Sequence, residues 1–130
     1  MAKTAPNPTE GELAILRVLW KRDAPLTVRA VHEALSRDKH TAYTTVLKML
    51  TIMAEKGLVR RDESERSHTY RPTQAEHVVQ AALLKDLMRR AFSGSAVTMM
   101  QRALDDEIAS PEDLAAISKL IAQAKAKRKE

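Results

Sequence analysis

Between Thr41 and Pro72 the sequence changes its period, and that change limits what the chain can fold into. From Thr41 to Lys56 the residues Ala42, Val46, Met49, Leu50 and Met53 recur at three- and four-residue spacing, the mark of a helix with one buried face. Gly57 follows where a helix needs a left-handed stop. Directly after it, Leu58–Asp62 and Ser67–Arg71 carry β-forming side chains in two short runs. Glu63-Ser64-Glu65-Arg66 lies between them and suits a charged hairpin turn. Pro72 has no N–H to give and is expected to end the pairing. A helix running straight into a hairpin must bury one face of each, and the residues able to cover them lie upstream.

Thr9-Glu10-Gly11-Glu12 has the form of a capping box, in which the Thr9 hydroxyl and the Glu12 carboxylate satisfy opposite backbone donors. The helix it starts carries Leu13, Ile15, Leu16, Leu19 and Trp20 on one broad face to about Arg22, where Asp23-Ala24-Pro25 breaks it. Thr27 is placed to cap a second helix with Val28, Val31 and Leu35 on one side, ending near Ser36. Ala30 and Ala34 leave room for a close neighbour. Helix, helix, helix, hairpin is the order of a winged helix-turn-helix, and residues 1–72 are read as that domain.

Downstream, Thr73-Gln74-Ala75-Glu76 repeats the capping-box form and is expected to open a helix carrying Val79, Leu83, Leu87, Met88 and Phe92. Ser93-Gly94-Ser95 interrupts it. Val97, Met100, Leu104 and Ile108 then line up at helical spacing. Ser110-Pro111-Glu112-Asp113 supplies an N-cap, an N1 proline and acids for a last helix with Leu114, Ile117, Ile121 and Ala124 on its stripe. Three short amphipathic helices are too few to close a core of their own. Residues 73–130 are therefore expected to form a homodimerisation domain with a basic tail. Its contacts would come from Leu83, Leu87, Val97, Met100, Leu104, Ile108, Leu114, Ile117 and Ile121. Folding back onto the N-terminal domain of the same chain stays open beside it. The expected fold class is mainly α (α+β).

Charge points to a partner. The formal net charge is +5, and the positive excess sits in residues 1–72 and 125–130, whereas 73–124 is net negative. A helix that enters a DNA groove needs an outward face that is polar, modest in size and short of acids. The third helix has one: Thr41, Thr44, Thr45, Lys48 and Thr51 lie opposite its apolar stripe, with no carboxylate before Glu55. Tyr43, at its start, is suited to a phosphate or sugar contact and equally to half-buried packing on the second helix or the wing. In the wing, Arg60, Arg66, Ser67 and His68 are placed to touch the flanking backbone or minor groove, Arg66 foremost. Arg61 and Arg71 flank them, and Asp62, Glu63 and Glu65 oppose.

Other functions are excluded by composition. With no cysteine there is no thiolate nucleophile, disulfide or thiolate metal site. With three glycines no Gly-rich phosphate loop can form. His32, His40, His68 and His77 never fall at the spacing that puts two ligands on one helix face, so no metal and no cofactor are expected. No catalytic constellation stands out, and the chain is not read as an enzyme. No apolar run approaches the roughly 18 residues of a membrane span, and the N-terminal residues lack a signal core. A cytoplasmic protein without direct membrane association is expected.

These residues carry a resemblance. PTEGELAILRVLW, LTVRAVHEALSRDKHTAYTTVLKMLTIMAEKGLV, RRDESERSHTYRPT and the helical tail look like the BlaI/MecI/CopY family of penicillinase-repressor-type regulators. AYTTV followed by KGLV is the most specific part. The resemblance implies a winged helix with a C-terminal dimerisation domain that binds palindromic double-stranded operators, commonly with TACA and TGTA elements, and blocks transcription. It places Thr44, Thr45 and Lys48 in the recognition helix. In the family's β-lactam-responsive branch release comes through a membrane-bound sensor peptidase that cuts an Asn-Phe bond in the dimerisation domain, and the resemblance leaves room for a cut at another bond here. Two departures leave the signal open: the copper-responsive branch's cysteine motif is missing, and the only Asn is Asn7, the comparable region reading Val97-Thr98-Met99-Met100-Gln101. A winged helix used as a protein-interaction adaptor, or an activator in place of a repressor, are the competing readings.

Overall fold

Thr9 caps the first helix as its neighbours predict. Its hydroxyl accepts from the Glu12 N–H at 3.2 Å, and its own N–H donates to Glu12 Oε1 at 2.9 Å. The computed structural model describes residues 6–37 and 40–129. In it α1 (Glu10–Arg22) is followed by β1 (Leu26–Thr27), α2 (Val28–Leu35), α3 (Tyr43–Lys56), β2 (Val59–Asp62) and β3 (Thr69–Pro72). After these come α4 (Glu76–Ala91), α5 (Ala96–Asp105) and α6 (Pro111–Arg128). They fall into two compact units, Met1–Leu84 and Lys85–Glu130. The change of unit thus lies inside α4, whereas the sequence pattern puts it at residues 72–73. The start of α4 belongs to the first unit: Val79 is buried, and Trp20 Nε1 donates to the Gln74 carbonyl at 3.0 Å.

The first unit is built around one apolar cluster. Ile15, Leu16 and Leu19 from α1, Val28 and Val31 from α2, and Val46, Leu50 and Met53 from α3 meet Leu58, Val59 and Tyr70 from the hairpin. Each such side chain, taken fully out of water, contributes about 1.5–3 kcal/mol. α1 approaches α3 closely at Gly11, where a Cβ would stand 2.9 Å from Met49 Cε. α3 begins at Tyr43, not Thr41, and Ala42 is its exposed N-cap with no place in the buried stripe. Its end follows prediction. Gly57 takes φ 85°, its N–H reaches the Ala54 carbonyl, and the Leu58 N–H reaches the Met53 carbonyl at 2.9 Å. Two orphan carbonyls are satisfied, and Leu58 turns into the core.

The hairpin is antiparallel, with Arg60 opposite Arg71 and Arg61 opposite Tyr70. The structure departs from three sequence expectations in this region. Pro72 does not end the ladder: it pairs with Val59, and the next N–H, that of Thr73, donates to the Leu58 carbonyl at 3.0 Å. Pro72 occupies a position where no donor is needed. Thr73 is consequently not a helix cap, and α4 starts at Glu76. There is also a third strand that the sequence pattern does not foretell. β1 pairs with β3, Leu26 with Tyr70 and Thr27 with Thr69, so the sheet order is β1-β3-β2. Thr27 does both jobs, ending β1 and capping α2 through the Ala30 N–H at 3.2 Å.

In the second unit, Ser95 caps α5 by accepting from the Thr98 N–H at 3.1 Å. Ser110 and Asp113 form a reciprocal capping box at α6, each bond 3.0 Å. Ser93 and Gly94 both take positive φ, 47° and 79°, and the Gly94 N–H donates to the Met88 carbonyl at 2.9 Å. Neither α5 nor α6 buries a single residue among those described.

One ion pair ties the two ends of the first unit's core. Lys56 Nζ, on the last turn of α3, lies 2.8 Å from Glu12 Oε2 on the first turn of α1, and the Glu12 side chain is only 6% exposed. Burial pushes this carboxyl up, but the Lys56 hydrogen bond and charge and the hydrogen bonds from Thr9 outweigh it and hold the group below its ordinary value. The stabilisation is therefore fully present above the unfolded carboxyl value of about 4.3 and is lost as pH falls through the lower folded one. Lys56→Met should lower the unfolding free energy at pH 7 by roughly 1–3 kcal/mol, and the deficit should shrink toward pH 3. Urea titrations at both pH values check this; a deficit of equal size at both would mean that the charge is not its source.

Candidate nucleic-acid interface

The outer face of α3 is defined by what its inner face must bury. Val46, Leu50 and Met53 are all 0% exposed, so at 100° per residue Thr44, Lys48 and Glu55 project away from the core. Thr44, Thr45 and Lys48 are exposed. Lys48 forms no ion pair among the described residues. Thr41, Tyr43, Thr44, Thr45 and Lys48 thus lie together along the N-terminal half of α3 and the turn before it, where the first acid is Glu55 at the far end.

The start of that face is fixed by α2. His32 Nε2 lies 2.8 Å from the Thr41 carbonyl oxygen. The His32 ring meets the Tyr43 ring edge-on, with centroids 5.7 Å apart. Tyr43 is nonetheless 46% exposed, so the two sequence readings of this residue, packing and surface contact, describe two sides of one ring. Thr51 differs from the expectation that it offers a hydroxyl outward. It is half-buried, and its hydroxyl donates to the Leu47 carbonyl at 2.9 Å.

Leu47 belongs to this face although the sequence pattern does not single it out. It is 41% exposed and stands one turn after Tyr43 and one turn before Thr51. The helical spacing from Tyr43 is the available signal, but a leucine in an amphipathic helix reads first as core.

In the wing, the Asp62 carboxylate accepts from the Ser64 N–H at 2.9 Å and starts the turn. Hydrogen bonding from the Ser64 backbone and side chain holds the Asp62 carboxyl below its ordinary range, outweighing desolvation, with lesser help from the charges of Arg71 and His68. Arg66, Ser67 and His68 are exposed in the loop beyond, and Arg66 forms no ion pair among the described residues. Arg61 is committed elsewhere. Tyr70, its cross-strand neighbour, and the Glu63 carboxylate 2.8 Å from its Nε together raise its pKa. Arg60 and Arg71 lie directly opposite each other across the hairpin, both exposed. Like charges in that position cost a few tenths of a kcal/mol to about 1 kcal/mol unless an anion is near. The wing thus presents Arg60, Arg71 and Arg66 outward and retains Arg61 for itself.

The residues expected in a dimer contact are displayed in the same open way. Leu87, Val97, Leu104, Ile108, Leu114 and Ile121 are exposed, with Val97 at 79% and Ile108 at 74%. Leu83, Met100 and Ile117 are half-buried. Ile108 falls outside α5, in the turn that follows it, where its N–H donates to the Ala103 carbonyl at 3.0 Å. Leu120, 61% exposed, widens the α6 stripe beyond the residues its spacing predicts. Among the described residues no helix is long and apolar enough to cross a membrane, and no three His, Asp or Glu side chains gather as a metal would require.

Known proteins share this arrangement. A family model described as penicillinase repressor matches residues 8–123. The transcriptional regulator BlaI of Mycobacterium tuberculosis is 41% identical over 80 residues, 62% of this chain and 58% of that protein. The chain thus spans a little over half the length of the mycobacterial relatives it matches. The penicillinase repressor of Bacillus licheniformis is 23% identical over 128 residues, 98% of this chain and 99% of that protein. The solution structure of the DNA binding domain of the repressor BlaI superposes with a TM-score of 0.51 at 25% identity, covering 58% of this chain and 90% of that one. The first unit has the winged-helix architecture of that domain.

Proposed function

The chain belongs to the penicillinase repressor family, and from that premise we propose that it is a transcriptional repressor that binds a palindromic operator as a homodimer in the cytoplasm. One observation carries the DNA reading: α3 is locked by a fully buried seam and turns outward Thr44, Thr45 and Lys48, exposed and with no acid before Glu55. Hydroxyls and an ammonium at these positions can meet base edges and phosphates in the major groove. Arg60, Arg66, Ser67 and His68 then serve the flanking backbone or minor groove. No step in this function is a chemical reaction, so no catalytic residue or cofactor is assigned.

Dimerisation is supported by the second unit, where Leu87, Val97, Leu104, Ile108, Leu114 and Ile121 stay exposed and neither α5 nor α6 buries a described residue. A second copy would cover them and place two reading heads on a two-fold symmetric site. Binding by linked heads is far tighter than by one, so a membrane-bound sensor peptidase that cuts in the second unit would release the operator without altering α3.

Two outcomes are expected. The purified chain should retain duplexes from a random-sequence pool at low salt, and log affinity should fall linearly with log salt as phosphate contacts release counterions. Lys48→Ala should weaken binding by roughly 1–3 kcal/mol at unchanged thermal stability. If no duplex is retained in gel-shift or fluorescence-anisotropy titrations, the protein-adaptor reading replaces this one. Separately, Leu104→Asp should move the protein toward monomer in sedimentation while the first unit keeps its fold; an unaffected dimer would put the interface elsewhere.

A further inference from the structure

α3 presents two kinds of row. One, Thr44 to Lys48, offers hydrogen bonds and charge. Beside it runs a second row at the same four-residue step, Tyr43, Leu47 and Thr51, and this one is apolar. Within α1 to α3 and the hairpin, Tyr43 and Leu47 are the large hydrophobic residues that stay exposed among those described, at 46% and 41%, while Leu50 on the same helix is 0% exposed. Thr51 joins them because of how its hydroxyl is used. With that hydroxyl donating to the Leu47 carbonyl at 2.9 Å, what the residue has left to offer a partner is mainly its methyl group. The upper end of the row is held in place by the edge-on contact of Tyr43 with His32.

An isobutyl group left in water in the middle of a groove-entering helix calls for an apolar feature in the groove. The major groove has one: the C5-methyl of thymine, which cytosine lacks. The electrostatics favour DNA over a protein surface as its occupant, since Lys48 is adjacent and no carboxylate intervenes before Glu55. We infer that Leu47, assisted by the Thr51 methyl, reads thymine C5-methyl groups and is a specificity-determining residue of this protein. The assignment rests on the DNA-binding reading proposed above.

The test separates the two. A duplex selected from a random pool by the full chain is resynthesised with each dT replaced singly by dU, which removes the methyl and keeps the base pair. Wild type should lose about three- to tenfold in affinity at one or two of these positions, the scale of one methyl group removed from an apolar contact. Leu47→Ala should lose most of that sensitivity at one of the same positions, with its salt dependence unchanged. Thr51→Val, which keeps the methyl and puts a second in place of the hydroxyl, should retain the dU sensitivity at the same positions. Salt-dependent binding that is indifferent to every dU replacement overturns the Leu47 assignment and leaves the DNA reading standing. So does full dU sensitivity in Leu47→Ala. Failure of wild type to retain any duplex overturns both.

Discussion

The rotational setting of α3 about its own axis is the constraint on which everything else depends. Val46, Leu50 and Met53 are wholly buried against α1, α2 and the hairpin. Turning the helix by one residue, about 100°, would exchange these three for Leu47 and its neighbours on the inward side. Several contacts worth about 1.5–3 kcal/mol each would be given up for one leucine and some hydroxyls. The core therefore holds the helix in one orientation, and the outward face is whatever the seam leaves over. Gly57 and the Leu58 N–H end the helix where the sheet must begin, and Glu12 with Lys56 fastens its last turn to the start of α1. The outward face of α3 is held by supports that are apolar or internally paired.

Charge is divided along the same line. Lys56 and Arg61 have acids within 2.8 Å and act within the fold. Lys48 and Arg66 have no such partner among the described residues, and Arg60 faces another arginine across the hairpin. Repulsion between Arg60 and Arg71 is a small cost to the free protein that a phosphate between them would reverse. A surface of this kind gains affinity from polyanions while adding little to stability, since exposed charges far from partners are well screened at physiological salt.

Most of the local structure is legible in the sequence because it is dictated by short-range chemistry. The Thr9 and Ser110 boxes, the Thr27 cap, the glycine stop at Gly57 and the apolar seam of α3 each depend on residues within a turn or two of one another. What escapes a sequence reading depends on distant partners. β1 is two residues long and is a strand only because Tyr70 and Thr69 lie beside it. Thr73 has every local attribute of a helix cap, yet its N–H is taken by Leu58, which delays α4. Pro72 looks like a terminator because its missing donor is visible in sequence, whereas the register that makes the donor unnecessary is not. In the candidate site, Lys48, Thr44 and Thr45 follow from their angle to the seam. Leu47 and the internal hydroxyl bond of Thr51 do not, because side-chain type alone suggests core for one and groove donor for the other.

The second unit poses a different physical problem. An amphipathic helix in a folded protein is stabilised mainly by burying its apolar stripe, and isolated helices shorter than about 12–15 residues, such as α5, are marginal in water. α5 spans ten residues and α6 eighteen, with no residue buried in either among those described. Each cap supplies about 1 kcal/mol, and i,i+3 pairs such as Arg102 with Asp105 only a few tenths of a kcal/mol. Most of the stabilisation must come from covering Val97, Leu104, Leu114, Leu120 and Ile121, and on the proposed reading a second copy supplies it. Folding of this unit and assembly are then one equilibrium, dependent on protein concentration. DNA affinity inherits that dependence, because two heads joined through the unit act at a high effective concentration and a single head does not. On the proposed reading, damage to α5 or α6 would thus be felt at the operator while α3 stays intact, so that reading a sequence and releasing it would rest on different parts of one small chain.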